Sequence, residues 1–273
     1  MLKTGKHRFL RSRRALALPV TYLILFVSTL LLISVTYVFA VQQVNDRQQS
    51  FQVLTAQQDM TSLDNDVLSV ISQPGSAAVL NFRDSGGQLN LTSSANNLTL
   101  SVSDNVGVNE TIFNATTGQV AYLLPSSESA DIGFYVEGDS QTITNQSGAS
   151  MSQLQIVSSL QGPQIQLGFR PEVTYAPAGT ENGQAVTDIR VYIVNLNASS
   201  FALGGELPLK ISCLNAQLET RTFQITQPEN FVITSQLNGS VGRVSVPVSA
   251  TSAGAVIQVQ IVVSNISVTE GLS

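Results

Sequence analysis

The sequence is poor in the side chains that many enzymes and disulfide-stabilised proteins depend on. Its 273 residues include one histidine, His7, one cysteine, Cys213, and no tryptophan. Because His7 lies near the N-terminus among basic residues, we expect no histidine-based triad and no histidine-ligated metal in the rest of the chain. A lone cysteine excludes an intramolecular disulfide. A small buried apolar residue is the simplest expectation for Cys213, with a reactive thiol as the alternative.

Charged residues are also scarce, and their distribution is uneven. Only 11% of the residues are charged, and all eighteen Asp and Glu follow Val44. Six of the thirteen Lys and Arg lie in the first fourteen positions, so the chain after Val44 has a net charge near −11 (7 minus 18). Nucleic-acid binding needs clustered cations, and this composition therefore excludes nucleic acid as a partner of that region.

The region between the basic tail and Asp46 contains no charge at all. Residues 15–41 form an apolar run that would reach ~40 Å as a helix, against a hydrocarbon core of ~30 Å. The basic residues 1–14 would stay in the cytoplasm by the positive-inside rule. The sequence therefore predicts a single-pass protein of the cell membrane, with the lipid bilayer as a partner and its C-terminal region outside.

Three interpretations of this N-terminus remain open. A cleavable signal peptide would use Val38-Phe39-Ala40, although its apolar core would be about twice the usual length. A plain signal anchor needs only the charge step and the length of the apolar run. The third interpretation depends on Arg13-Arg14-Ala15, which stands directly against the apolar run. This arrangement resembles the class III (prepilin-type) leader of archaeal type IV pilins and archaellins.

The resemblance implies cleavage on the cytoplasmic side of the apolar run. Arg14, Ala15 and Leu16 would be the processing residues, with Leu16 the first residue of the mature chain. The apolar helix would then also pack against like subunits or other pilins. The fifth mature residue would be Val20, whereas many bacterial pilins have Glu there, so registration of subunits by that Glu is not implied.

The helix is predicted to continue beyond the membrane segment. Residues 42–72 contain no Gly or Pro, their apolar residues recur at spacings of three, four and seven, and Pro74-Gly75 ends the run. We therefore predict an extracytoplasmic helix over residues 42–73, continuous with the membrane segment. Asp59, Asp64 and Asp66 form a carboxylate cluster on this helix, in which Asp59 and Asp66 share a face because they are seven residues apart. A solvated face is the simplest expectation for these carboxylates, with a functional cluster as the alternative.

Residues 74–273 are predicted to form a β-rich exterior domain. Short alternating runs are separated by turn residues, and no helical periodicity occurs there. The predicted fold class is thus α+β, with a long N-terminal helix followed by an antiparallel β-sandwich-type head. Residues 93–96 are predicted as a turn between two strands. Residues 171–184 are predicted as a linker or long loop, where the head could divide into two modules.

Eight Asn-x-Ser/Thr motifs follow residue 89, and none precedes it. Glycans would supply the solubility that sparse charges do not provide, which favours a glycoprotein surface. The candidate glycosylation sites are Asn90, Asn97, Asn109, Asn114, Asn145, Asn197, Asn238 and Asn265.

Candidate catalytic and metal sites are weak. Lys210 and Ser212 are close in sequence without a supporting motif, and we expect Lys210 to be a solvated charge. The acidic residues of segment 128–131, with Glu137 and Asp139, offer oxygen ligands for Ca²⁺ but lack EF-hand spacing. The sequence therefore predicts no catalytic, cofactor-binding or metal site, and no enzyme.

Two functions are consistent with these features. One is a structural or minor pilus subunit, since the leader, the helix and the overall plan resemble archaeal pilins. Fragments such as DSGGQLNLTSSANNLTLSVSDN look like an uncharacterised archaeal surface family, which implies no activity. The other is a β-sandwich binding or adhesion module on a helical stalk that does not polymerise. The sequence identifies no surface ligand.

Overall fold

The computed structural model describes residues 12–104, 107–125, 131–197 and 201–271, without the side chains of 12–18, 201–203 and 207. Contacts divide the chain into two compact units, Met1–Phe51 and Gln52–Ser273. The first unit contains the apolar part of a long helix. The second contains the end of that helix and all the strands of the described residues.

One helix, α1, runs over Ser12–Val70. It confirms the prediction of a single long N-terminal helix, because no helix breaker interrupts the chain between Pro19 and Pro74. The helix stops before Pro74-Gly75. Gly75 has φ of +85°, and its N–H donates to the carbonyl of Cys213 at 2.8 Å. Gly75 thus lies in a turn between the helix and β1, in a left-handed conformation that glycine adopts easily.

The strands fill most of the second unit. In chain order they are β1 (Ala77–Phe82), β2 (Gln88–Ser103), β3 (Asn109–Leu123), β4 (Tyr135–Glu137), β5 (Thr144–Asn145), β6 (Ser152–Ser159), β7 (Gly162–Phe169), β8 (Glu172–Glu181), β9 (Gln184–Leu196), β10 (Phe201–Gly204), β11 (Leu207–Ile225), β12 (Glu229–Leu237), β13 (Ser240–Val248) and β14 (Ala255–Glu270).

These strands form two sheets. The six-stranded sheet has the order β1-β11-β14-β9-β8-β5. The eight-stranded sheet has the order β13-β12-β2-β3-β7-β6-β4, with β10 beside β2. The head is not purely antiparallel as predicted, because β14 pairs with β9 in parallel over twelve residue pairs. The chain between these two strands passes through β10, β12 and β13 of the other sheet and β11 of the same sheet, which gives the long crossover that a parallel pair requires.

Two local predictions for the head were wrong. Residues 93–96 do not form a turn, because β2 continues through them as a bulge where its register with β3 shifts between Thr92 and Asn96. Residues 171–184 do not form a long loop, because β8 and β9 pair as a hairpin closed by Asn182 and Gly183. Both closing residues have positive φ, as Asn-Gly hairpin turns do.

The interior of the second unit contains two apolar clusters. The first combines the buried face of α1 with residues of both sheets, among them Leu91 of β2 and Ile211 of β11. The second contains residues of both sheets without α1, such as Phe231 of β12 and Ile257 of β14. The two sheets therefore share a core, and the C-terminal part of α1 completes one region of it.

Candidate functional site: the apolar helix segment and the buried end of the helix

The N-terminal part of α1 is built like a membrane-spanning segment. By length and composition, the helix over Pro19–Val70 could cross a membrane. Its apolar side chains between Val20 and Val41 are exposed, so nothing in their own unit buries them. The hydroxyls of Thr29 and Thr36 donate to helix carbonyls four residues earlier, each at 2.8 Å. Such bonds satisfy these polar groups without water.

The residues predicted to be processed lie at the beginning of this helix. Arg14, Ala15 and Leu16 are in the first turns of α1, and their side chains lie outside the described residues. The basic tail before Ser12 also lies outside the described part of the chain. The leader prediction thus stays a prediction.

The C-terminal part of α1 is built to be buried in the head. Its core residues recur at alternating spacings of three and four, which places them on one face. They contact strands of both sheets in the first apolar cluster. These residues are Val53, Ala56, Met60, Leu63, Val67 and Val70.

Asp59 anchors this face to the start of the sheet. Its side chain is buried and accepts hydrogen bonds from Nε and Nη2 of Arg83, at 2.9 and 2.7 Å. The backbone N–H of Arg83 donates to the other carboxylate oxygen at 2.9 Å. Arg83 follows β1 directly, so this charged pair ties the helix to that strand and satisfies both buried oxygens.

Asp64 is a buried carboxyl beside a second carboxyl. It is fully buried, and its Oδ1 accepts a hydrogen bond from the Ser152 hydroxyl at 2.6 Å. Its Oδ2 is buried without a partner, while the Glu137 carboxyl on β4 lies within hydrogen-bonding reach. Gly138, next to Glu137, lets the β6 backbone pass close by, because a Cβ there would lie 2.1 Å from the Ser152 carbonyl oxygen. One proton shared between the two carboxyls would satisfy the unpaired oxygen.

The pKa of Asp64 is raised to about 7, chiefly by burial and in smaller part by the neighbouring Glu137, against the lowering effect of the Ser152 hydrogen bond. A raised pKa means that the folded chain holds this proton more tightly than the unfolded chain. Its contribution to stability is complete below the ordinary pKa of 3.8 and is lost as the pH rises through about 7.

We therefore expect the unfolding temperature of the detergent-solubilised protein to fall as the pH rises from about 4 to about 8. Asp64→Asn should flatten this profile and make the protein more stable than wild type at the alkaline end. Circular dichroism of the β signal measures both. Asp188→Asn, on β9, serves as the control and should leave the profile unchanged. If the unfolding temperature of the wild type changed with pH in parallel with that of Asp64→Asn, the claim that folded Asp64 holds a proton would be wrong.

The prediction of solvated carboxylates on this helix was wrong for Asp59 and Asp64. Both are adjacent to core positions, Met60 and Leu63, and therefore flank the apolar face. That proximity was visible in the sequence, but their partners could not be inferred, because Arg83 follows β1 and Glu137 and Ser152 lie on β4 and β6. Asp66 is half-buried.

A buried arginine was also missed. Arg170 is fully buried between β7 and β8, and its guanidinium donates to the carbonyls of Ser150 and Gln141 and to the Asp139 carboxylate. The guanidinium holds the pKa of the Asp139 carboxyl below its usual range. These bonds connect the segment before β6 to the end of β7, which indicates a structural role.

The glycosylation candidates differ in accessibility. Five are exposed, and Asn90 and Asn145 are half-buried. Asn265 is buried, its Nδ2 donates to Asn215 Oδ1 at 2.7 Å, and its Oδ1 accepts from Asn195 at 2.9 Å. The exposed candidates are Asn97, Asn109, Asn114, Asn197 and Asn238.

The remaining candidate residues do not assemble into a reactive centre. Cys213 is buried in the first apolar cluster, which confirms the expectation, and burial raises the pKa of its thiol. Lys210 is exposed on β11, and no described hydrogen bond joins it to Ser212. Within the described ranges, no three His, Cys, Asp or Glu side chains gather to hold a metal. Residues 128–130 of the acidic segment lie outside the described residues.

Comparison with known proteins finds no match: no family model, no curated protein and no solved structure is similar to this chain.

Proposed function

We propose that this protein is a non-enzymatic, membrane-anchored protein of the cell surface that acts as a pilin-like structural or minor pilus subunit. The observation that carries the proposal is the division of one continuous helix into two chemical regions. The apolar side chains between Val20 and Val41 are exposed, and one face of the region from Val53 to Val70 is buried in the β domain. Such a helix can anchor the head in a bilayer and later exchange lipid for neighbouring helices.

The proposed topology follows from the charges. The basic tail stays in the cytoplasm, the apolar segment spans the cell membrane once, and the head, of β-sandwich type, lies outside. Glycans at the exposed sequons would supply solubility to a head with few charges. Asn265 would not carry a glycan in the folded protein, because its amide is buried and hydrogen-bonded.

The alternative is a stalked binding or adhesion module that does not polymerise. A polar pocket on the head favours it, since a purely structural subunit needs none. In this alternative the helix stays in the bilayer as a fixed anchor, and the surface ligand binds the β domain.

The mature N-terminus separates the two. If the chain is processed like a prepilin, the mature protein begins at Leu16, and Arg14→Ala should slow processing because the leader loses the charge that precedes Ala15 at the cleaved bond. N-terminal sequencing of membrane-extracted protein, with pulse-chase of precursor and product, measures this. Lys3→Ala, in the same tail, is the matched control and should be processed normally. A start at Met1 would contradict the pilin proposal and favour the fixed anchor. A start at Val41 would remove the membrane span and contradict both.

A further inference from the structure

A small pocket on the head is lined mainly by side-chain amides. It has a volume of about 100 Å³ and lies on the eight-stranded sheet, where β6 and β7 turn Gln side chains away from the core. None of the described residues that line it is charged. The amides are those of Asn96, Gln119, Gln153, Gln155, Gln166 and Asn238.

These amides orient one another and keep further hydrogen-bonding capacity. Gln166 Nε2 donates to Gln119 Oε1, which leaves Gln119 Nε2 and Gln166 Oε1 without a described partner. Gln153 Nε2 donates to the carbonyls of Asp139 and Gln141, each at 2.9 Å, which leaves its Oε1 available. The pocket therefore presents both donors and acceptors that are already held in place.

Asn96 is a nearly buried amide of this pocket, held in place by a hydrogen bond. Its residue is only 8% exposed, and its Oδ1 accepts a hydrogen bond from Asn238 Nδ2 at 2.7 Å. Its Nδ2 has no described partner, and it lies 4.0 Å from the point that a Cβ on Gly168 would occupy. The bulge in β2 sets the position of Asn96, and the missing side chain at Gly168 leaves the floor of the pocket open in front of its amide.

We propose that this pocket binds one neutral sugar residue. Amides offer a donor and an acceptor side by side, which matches the paired hydroxyls of a sugar ring, and the absence of charge among the described lining residues disfavours ionic ligands. Phe169 is buried and offers no exposed ring face for stacking, so hydrogen bonds must orient the ligand. The small volume suits one terminal residue of a glycan, and we expect millimolar affinity.

The sugar can come from two sources. Two candidate glycosylation sites are close at hand: Asn238 lines the pocket, and the N–H of Asn97, the residue after Asn96, donates to Asn238 Oδ1 at 2.9 Å. A glycan of this chain could therefore occupy the pocket, or a glycan of another surface molecule could do so. The second source deepens the adhesion alternative, whereas the chemistry of the pocket does not depend on whether the protein polymerises.

Saturation-transfer NMR on the full-length protein in detergent tests the proposal. The protein is made in a host without N-glycosylation, and the probes are the methyl glycosides of glucose, mannose, galactose and N-acetylglucosamine. We expect at least one to bind. Gly168→Val, which fills the floor in a β-compatible conformation, and Asn96→Ala should weaken binding at least fivefold. Gln224→Ala, at an exposed position on β11, should leave binding unchanged.

Circular dichroism shows whether Gly168→Val and Asn96→Ala fold. If one of them does not, Gln155→Ala takes its place, because it removes a half-exposed side chain from the wall of the pocket. Absence of binding by all four glycosides would overturn the proposal, as would binding that the folded pocket variants retain. The pilin proposal would survive either result, because it is tested by the mature N-terminus.

A second experiment, on protein glycosylated in a suitable host, distinguishes the two sources of the sugar. If probes bind it only after Thr99→Val and Ser240→Ala remove the neighbouring sequons, the chain's own glycan fills the pocket, and if they bind it directly the ligand is external.

Discussion

Leu63→Ala is expected to lower the free energy of unfolding of the β domain by about 3–5 kcal/mol. Leu63 is fully buried on α1 within the first apolar cluster, where residues of both sheets surround it. The shorter side chain loses the free energy gained by burying the removed carbons. It also leaves a cavity that the two sheets and the helix cannot easily close. Denaturant unfolding of the detergent-solubilised protein, followed by the β signal in circular dichroism, measures the change.

Leu54→Ala is the matched control for this variant. Leu54 lies on the same helix with 54% of its surface exposed, so the same chemical change should cost less than about 1 kcal/mol. Equal losses for the two variants would show that the helix does not bury the face described above. A loss confined to Leu63→Ala would show that the helix from Val53 to Val70 is an integral part of the head.

Leu31→Arg is expected to disfavour membrane insertion by about 3 kcal/mol, because it places a charge near the centre of the proposed span. Leu31 is 62% exposed, so no described residue of its own unit shields the charge. The fraction of chains that resist alkaline extraction from membranes measures the effect. We expect most Leu31→Arg chains to be released.

Gln48→Arg places the same charge on the same helix outside the apolar run, and it should leave insertion unchanged. If both variants stay in the membrane as firmly as the wild type, the span assigned to residues 15–41 is wrong. If both are lost, the defect lies in folding rather than in the membrane segment.

The head shows which structural features can be predicted from local sequence pattern. Turn residues and alternating hydrophobicity correctly indicated a strand-rich region without long helices, because both features act over a few residues. The same turn chemistry misled at residues 93–96, where Ser and Asn lie in a bulge that only the pairing of β2 with β3 stabilises. The parallel pair of β9 and β14 could not be predicted from local pattern, since it joins segments about 70 residues apart.

The candidate sites follow the same division. The helix and its apolar segment depend on propensity, periodicity and charge within one continuous stretch, so the sequence by itself determined them. Tertiary structure alone decided the burial and the raised pKa of Asp64, because both depend on Glu137 and Ser152, which lie on strands more than 70 residues away. It likewise brought Asn96 beside Asn238, 142 positions apart. Hydrophobicity is a property of each residue, whereas the pKa of a carboxyl and the direction of an amide are set by whatever the fold packs against them.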